Sequence, residues 1–149
     1  MKKGKIVVFG SFVVDLTSWA KHLPVPGETV KGSVFKMGPG GKGSNQGVAA
    51  SRAGADVTLV TKVGNDVFGK IALDFYKNEN MTTEYVFLDD EKETGTALIM
   101  VDETVGQNQI LVVSGACDNI TEAEVTRTHK LIDEAEIVLL QLEAALFFS

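Results

Sequence analysis

Four glycines within six residues, Gly38-Pro39-Gly40-Gly41-Lys42-Gly43, stand just before a stretch of helical character. Glycine lets a backbone approach a ligand closely and aims N–H groups at it. Spacing excludes a nucleotide phosphate loop. G-x-x-x-x-G-K-[ST] requires Gly at position 36 and Ser or Thr at 43, where this chain has Lys36 and Gly43. The dinucleotide fingerprint fails as well, because it should follow the first strand directly and this segment lies about thirty residues later. Two readings stay open. One is a turn with a helix cap. The other is a ligand cradle in which Lys42 and Asn45 add a cation and a bidentate hydrogen-bonding side chain, a mixture suited to a small polyhydroxylated molecule.

Asp15 interrupts an apolar strand, Phe12-Val13-Val14-Asp15-Leu16. It is either an outward-facing carboxylate or a charged acceptor for two ligand hydroxyls, each such bond worth roughly 1.5–3 kcal/mol. Glu143 follows Ile137-Val138-Leu139-Leu140-Gln141-Leu142. Ligands of open α/β sheets bind outside the carboxyl ends of strands, so a carboxylate there is well placed, though it also fits the start of a turn. His22 and His129 lie far apart without partner motifs, so no metal is expected. Cys117 has no CxxC partner and reads as a small structural residue.

The elements that must position these residues follow from the apolar pattern. Lys5–Phe9, Val57–Thr61, Tyr85–Leu88 and Ile137–Leu140 are short β-rich runs, the last the most buried in character. Between them, Ser44 or Asn45 is expected to cap a helix to Arg52, with Val48, Ala49 and Ala53 on one side. Asp66 caps a second helix with Val67, Phe68, Ile71, Ala72 and Phe75 at helical spacing. Thr121 and Glu124 form a capping box that opens a third helix to about Glu134. This alternation predicts a parallel sheet covered by helices. The runs near 12–19, 30–37 and 96–113, the last a hairpin, fall outside it and predict a separate small β-sheet.

Composition narrows the partners. The 149 residues are 44% hydrophobic and 23% charged, enough apolar content for a packed core. Fourteen Lys+Arg against twenty Asp+Glu give a net charge of −6, and no basic cluster exceeds Lys2-Lys3, so a nucleic-acid partner is excluded. Apolar runs are of strand length, so no membrane span is expected. One cysteine predicts a reducing, cytoplasmic setting.

Taken together, Gly10-Ser11…Asp15, Pro24-x-Pro26-Gly27-Glu28-Thr29, Gly40-Gly41-Lys42-Gly43-Ser44-Asn45-Gln46, Val63-Gly64-Asn65-Asp66-x-x-Gly69, Thr94-Gly95-Thr96-Ala97 and Gln141-Leu142-Glu143 resemble, in order, the ribokinase-like (PfkB) carbohydrate kinases. The resemblance implies a Rossmann-like three-layer α/β/α fold, here incomplete, with the small sheet as a lid that also forms a homodimer contact. It implies ATP-dependent phosphorylation of a sugar hydroxyl, with Mg²⁺ and a monovalent cation in the full-length enzyme. Carried over, Asp15 holds sugar hydroxyls, Gly41, Lys42, Gly43 and Asn45 bind the other side of the sugar, and Glu143 accepts a further hydroxyl. Val13 stands where the ribose-specific members usually carry an asparagine, which leaves ribose, another pentose, a hexose or a ribosyl compound open.

The family's base and anion hole lie in a G-A-G-D motif. Ala53-Gly54-Ala55-Asp56 and Gly115-Ala116-Cys117-Asp118 only imitate it. No catalytic residue is therefore assigned within the chain, and the base and anion hole are expected beyond Ser149. Residues 1–149 are expected to be the N-terminal, sugar-binding part, inactive alone and ending in an apolar tail at 144–149. The alternative is a non-catalytic sugar-binding or dimerisation module.

Overall fold

The computed structural model describes residues 4–143. The apolar tail from Ala144 to Ser149 lies outside the described residues, and so does the expectation that places the base and anion hole beyond Ser149. In chain order the elements are β1 (Lys5–Phe9), β2 (Val13–Ala20), β3 (Val34–Gly40), α1 (Lys42–Arg52), β4 (Asp56–Gly64), α2 (Val67–Asn78), β5 (Val86–Asp89), β6 (Thr94–Asp102) and β7 (Asn108–Gly115). A 3-10 turn (Ala116–Asn119), α3 (Glu122–Thr126), α4 (His129–Asp133) and β8 (Ile137–Leu140) complete them.

The solid apolar runs form one parallel sheet in the order β5-β4-β1-β8. Alternate side chains of β1 and β4 go to opposite faces. Val8, Val57 and Leu59 meet Val48 of α1 and Ala72 and Tyr76 of α2, while Val7, Phe9 and Val60 meet Leu131 and Ile132 around α4. This is the expected α/β/α layering. Tyr76 is fully buried, stacks edge-on to Phe12 at 5.9 Å, and donates its hydroxyl to Ser44 Oγ at 2.8 Å. Burial pushes its ionisation far up.

Five expectations are corrected. The strand expected near 30–37 runs over Val34–Gly40, so Gly38-Pro39-Gly40 are strand residues paired with Asp15, Val14 and Val13. Proline is tolerated there because β3 is the edge of its sheet. Neither Ser44 nor Asn45 caps α1. Gly41 does, at φ 94°, with no side-chain cap. The buried face of α1 is Gly43, Ser44, Gly47 and Val48, while Ala49 and Ala53 are exposed, because small residues let the helix approach β1 and β4 closely. The third helix breaks in two, α3 and α4, although the Thr121–Glu124 capping box forms as read. Lastly, β8 is the edge of its sheet and its four side chains are exposed among the described residues.

The second sheet has the order β3-β2-β6-β7, with β2 and β6 parallel and the outer pairs antiparallel. Its roots are pinned to the main body. Asp66 caps α2 by accepting the Gly69 N–H at 2.7 Å, and it also accepts the Thr94 N–H and hydroxyl, both at 2.8 Å, at the start of β6. Burial raises the Asp66 carboxyl, but these donors outweigh it and hold it below the ordinary value. At the same root, just after β7, Cys117 is buried with its Sγ 3.1 Å from the Phe12 carbonyl and 3.2 Å from that of Lys62. Burial pushes this thiol up, consistent with a structural residue.

Candidate functional site

A cleft of about 490 Å³ opens between the two sheets. It lies beyond the carboxyl ends of β1 and β8, where Ser11 and Glu143 contribute, and beside the start of α1, where Gly41, Lys42 and Asn45 contribute. Val13 and Asp15 enter it from β2. The sheet register carries this face across to Ala97 and Ile99 of β6 and to Ile110 and Val112 of β7.

Asp15 is the electrostatic centre of this space. Its side chain is half-buried, and desolvation alone pushes its carboxyl above the ordinary carboxylate value. No ion pair offsets that cost among the described residues. A carboxylate held this way is short of donors, and hydroxyl groups supply them. At the cleft rim Lys42 Nζ pairs with Glu143, joining the start of α1 to the end of β8. Both side chains are more than half exposed, at 67% and 53%, so the pair contributes little to stability and is free to exchange partners with a ligand.

The glycines make the geometry possible. A Cβ on Gly40 would land on the Asp15 carboxylate, so the bare position leaves room for that side chain. A Cβ on Gly43 would come within 2.5 Å of Gly10 Cα and 2.8 Å of Ser11 N, backbone that cannot yield. The two positions therefore respond differently. Gly40→Ala should leave the thermal midpoint nearly unchanged while displacing Asp15. Gly43→Ala should cost roughly 1–3 kcal/mol by overpacking. Calorimetric unfolding of both variants checks this, and equal midpoints would refute it.

A family profile described as pfkB family carbohydrate kinase matches residues 3–146. The chain belongs to the pfkB family. It is 43% identical over 138 residues to a ribokinase from Bacillus subtilis (strain 168), covering 93% of this chain and 46% of that protein. The solved ribokinase of Giardia lamblia superposes with a TM-score of 0.87 at 32% identity, over 96% of this chain and 43% of that one. Arabidopsis thaliana ribokinase, solved with ribose and ATP, gives 0.78 at 27% identity, over 96% and 46%. The chain thus spans less than half the length of these relatives.

Of the positions that resemblance to pfkB proteins singled out, Val13, Asp15, Gly41, Lys42, Asn45 and Glu143 converge on the cleft. Gly43 does not line it; it supports the site by packing on Gly10. Reasoning on sequence missed Ser11, Ile99, Ile110, Val112 and Ser114 as cleft residues. The signal available was the two-residue period of the 94–115 hairpin, unusable without its register against β2. The described residues do not fit a nucleotide–Mg²⁺ site. The glycine segment is mostly strand, the cleft presents two carboxylates, and no cluster of three acidic, His or Cys groups is placed to hold a metal among them. No helix among the described residues is long and apolar enough to cross a membrane.

Proposed function

We propose that this chain carries the sugar-binding part of an ATP-dependent carbohydrate kinase whose substrate is a pentose of the ribose class. The observation that carries the reading is Asp15: an uncompensated, half-buried carboxylate inside a cleft that also presents Lys42, Asn45 and Glu143. Asp15 and Glu143 accept hydroxyl protons, Lys42 and Asn45 donate, and the aliphatic face of β6 and β7 covers the carbons. The second sheet serves as a lid, excluding water so that a phosphoryl group reaches the sugar and not solvent. ATP supplies that group in the pfkB kinase reaction. The residues described here bind and orient the acceptor. Isothermal titration with D-ribose and its deoxy analogues tests the reading, with saturation at one sugar per chain expected. Absence of binding by all of them overturns it.

The same sheet is proposed to pair two chains. On the face away from the cleft, Phe35, Met37, Leu98 and Leu111 are 62, 50, 44 and 62% exposed, a contiguous apolar surface in adjacent strands. Sedimentation velocity is expected to give a dimer that Leu111→Lys converts to monomer. A monomeric wild-type chain overturns this.

A further inference from the structure

We infer that Ser11 is a further sugar contact of this cleft, an acceptor for one ligand hydroxyl, and that Gln141 is the positioning residue that keeps it one. The inference rests on the sugar-binding reading above. Ser11 lies between β1 and β2, is 5% exposed, and lines the cleft. Gln141 follows β8 directly and is 8% exposed. Its N–H donates to the Phe9 carbonyl at 2.8 Å, which carries the pairing of β1 with β8 one residue further. Its side chain then meets Ser11, where Oε1 accepts the Ser11 N–H at 3.4 Å and the Ser11 hydroxyl at 3.1 Å.

These two bonds decide a direction. A backbone N–H only donates, so the Gln141 atom that faces Ser11 is the carbonyl oxygen and not the amide nitrogen. That oxygen cannot donate in return. The Ser11 hydroxyl proton therefore points at Gln141, and the lone pairs of Oγ remain for the cleft. The rest of Ser11 is committed too, since its carbonyl accepts the Ser44 N–H at 3.0 Å near the start of α1. Ser11 thus presents one kind of group to a ligand, and a hydroxyl that is itself donating accepts more strongly. Ser114 of β7 also lines the cleft, but nothing among the described residues anchors its hydroxyl, so it turns either way. The direction at Ser11 comes from Gln141 and not from serine as such. A ligand hydroxyl satisfies it by donating, whereas a carbonyl, a carboxylate or a fluorine in the same place brings no proton.

Isothermal titration of the full chain with D-ribose and its monodeoxy and monodeoxyfluoro analogues tests this. Ser11→Ala is expected to weaken D-ribose binding about tenfold. Gln141→Met keeps the length of the side chain, removes the acceptor and releases the Ser11 hydroxyl, so it should weaken binding as well. The double variant should bind no worse than Ser11→Ala, because Gln141 acts on the ligand only through Ser11. A residue that merely held β8 in place would add its own loss. At one ring position, deoxygenation should cost the wild type what Ser11→Ala costs and should cost Ser11→Ala nothing further, and fluorine there should not recover the loss. Unfolding midpoints show which variants are folded, and if Gln141→Met is not, Ser11→Ala with the analogue series decides. Unchanged D-ribose affinity in Ser11→Ala, additive losses in a folded double variant, or a fluorine that recovers the affinity overturns the inference and leaves the sugar site standing. Binding of no sugar in the series overturns the sugar-site reading itself.

Discussion

Asp15→Asn is expected to weaken sugar binding by about a hundredfold or more while leaving the fold as stable as before, or slightly more so. The two effects have one cause. Asp15 is half-buried and desolvation is what raises its carboxyl. In the free protein the charge is a cost, and an amide of the same shape removes it. In the complex the charge is the asset, since a hydrogen bond from a hydroxyl to a carboxylate contributes roughly 1.5–3 kcal/mol. A residue that served only packing would lose stability and affinity together. The wild-type pH dependence follows from the same shift. Ligand hydroxyls favour the ionised form, so affinity is full above the raised pKa and falls as pH drops through it, on the acid side but above the ordinary carboxylate range. Isothermal titration between neutral pH and pH 4, with parallel thermal unfolding, measures both. Unchanged affinity in Asp15→Asn would remove Asp15 from the site.

The positions of such residues were legible in the sequence to an uneven degree, and the unevenness has physical reasons. The strands around Val7 and Leu59 are apolar runs covered on both faces, and these read correctly because burial dictates composition. Asp66 and Thr121 announced their helices because capping is a contact between residues three apart. Long-range features were another matter. The glycine segment read as a loop, yet Gly38-Pro39-Gly40 became strand because Asp15, Val14 and Val13 lie opposite, a pairing that local sequence does not encode. Ser44 and Asn45 have capping side chains, but Ser44 is turned to Tyr76 and buried, which leaves Gly41 to open the helix. Ile137–Leu140 has the composition of a central strand and occupies an edge among the described residues. Composition reports the environment a strand is suited to, and the sheet order reports its place.

A second class of information was hidden altogether: charge inside the fold. Lys62 lies in the middle of β4, in a run that reads as a plain strand, and its side chain is only 6% exposed. Its Nζ donates to the Asn119 carbonyl at 2.9 Å and sits 3.0 Å from Glu124 and 3.3 Å from Asp89. Asp89 in turn accepts the Asn119 side-chain N–H at 2.6 Å and the N–H groups of Glu91 and Lys92 at 2.9 and 3.0 Å. The Asn119 bond first, then these amides and Lys62, outweigh burial and hold the Asp89 carboxyl far below its ordinary range. One lysine thereby joins β4 and β5 to the 3-10 turn and to α3. That turn directly follows β7, whose Ile110 and Val112 wall the cleft.

Lys62→Met should therefore have the largest effect on stability of any single change considered. Methionine fills the space of the lysine stem but leaves Asp89 and Glu124 without their cation, and breaking a buried pair from one side costs about 3–5 kcal/mol. For a chain of this size that lowers the unfolding midpoint by on the order of 10 °C. Because Asp89 is depressed in the folded wild type, its contribution is complete above the unfolded carboxylate pKa and is lost only as pH falls through the lower folded value. In the variant Asp89, without its lysine, takes up its proton at higher pH than in the wild type. The gap between wild type and variant is thus widest near neutrality and narrows as pH falls through the ordinary carboxylate range. Neutralising all three partners, with Lys62→Met, Asp89→Asn and Glu124→Gln together, should recover much of the loss, since the cost comes from unpaired charge and not from missing volume. Thermal unfolding of the single and triple variants between pH 7 and pH 3 measures these differences. A gap independent of pH, or a triple variant no better than the single one, would show that packing around Lys62, and not its charge, holds this part of the sheet together.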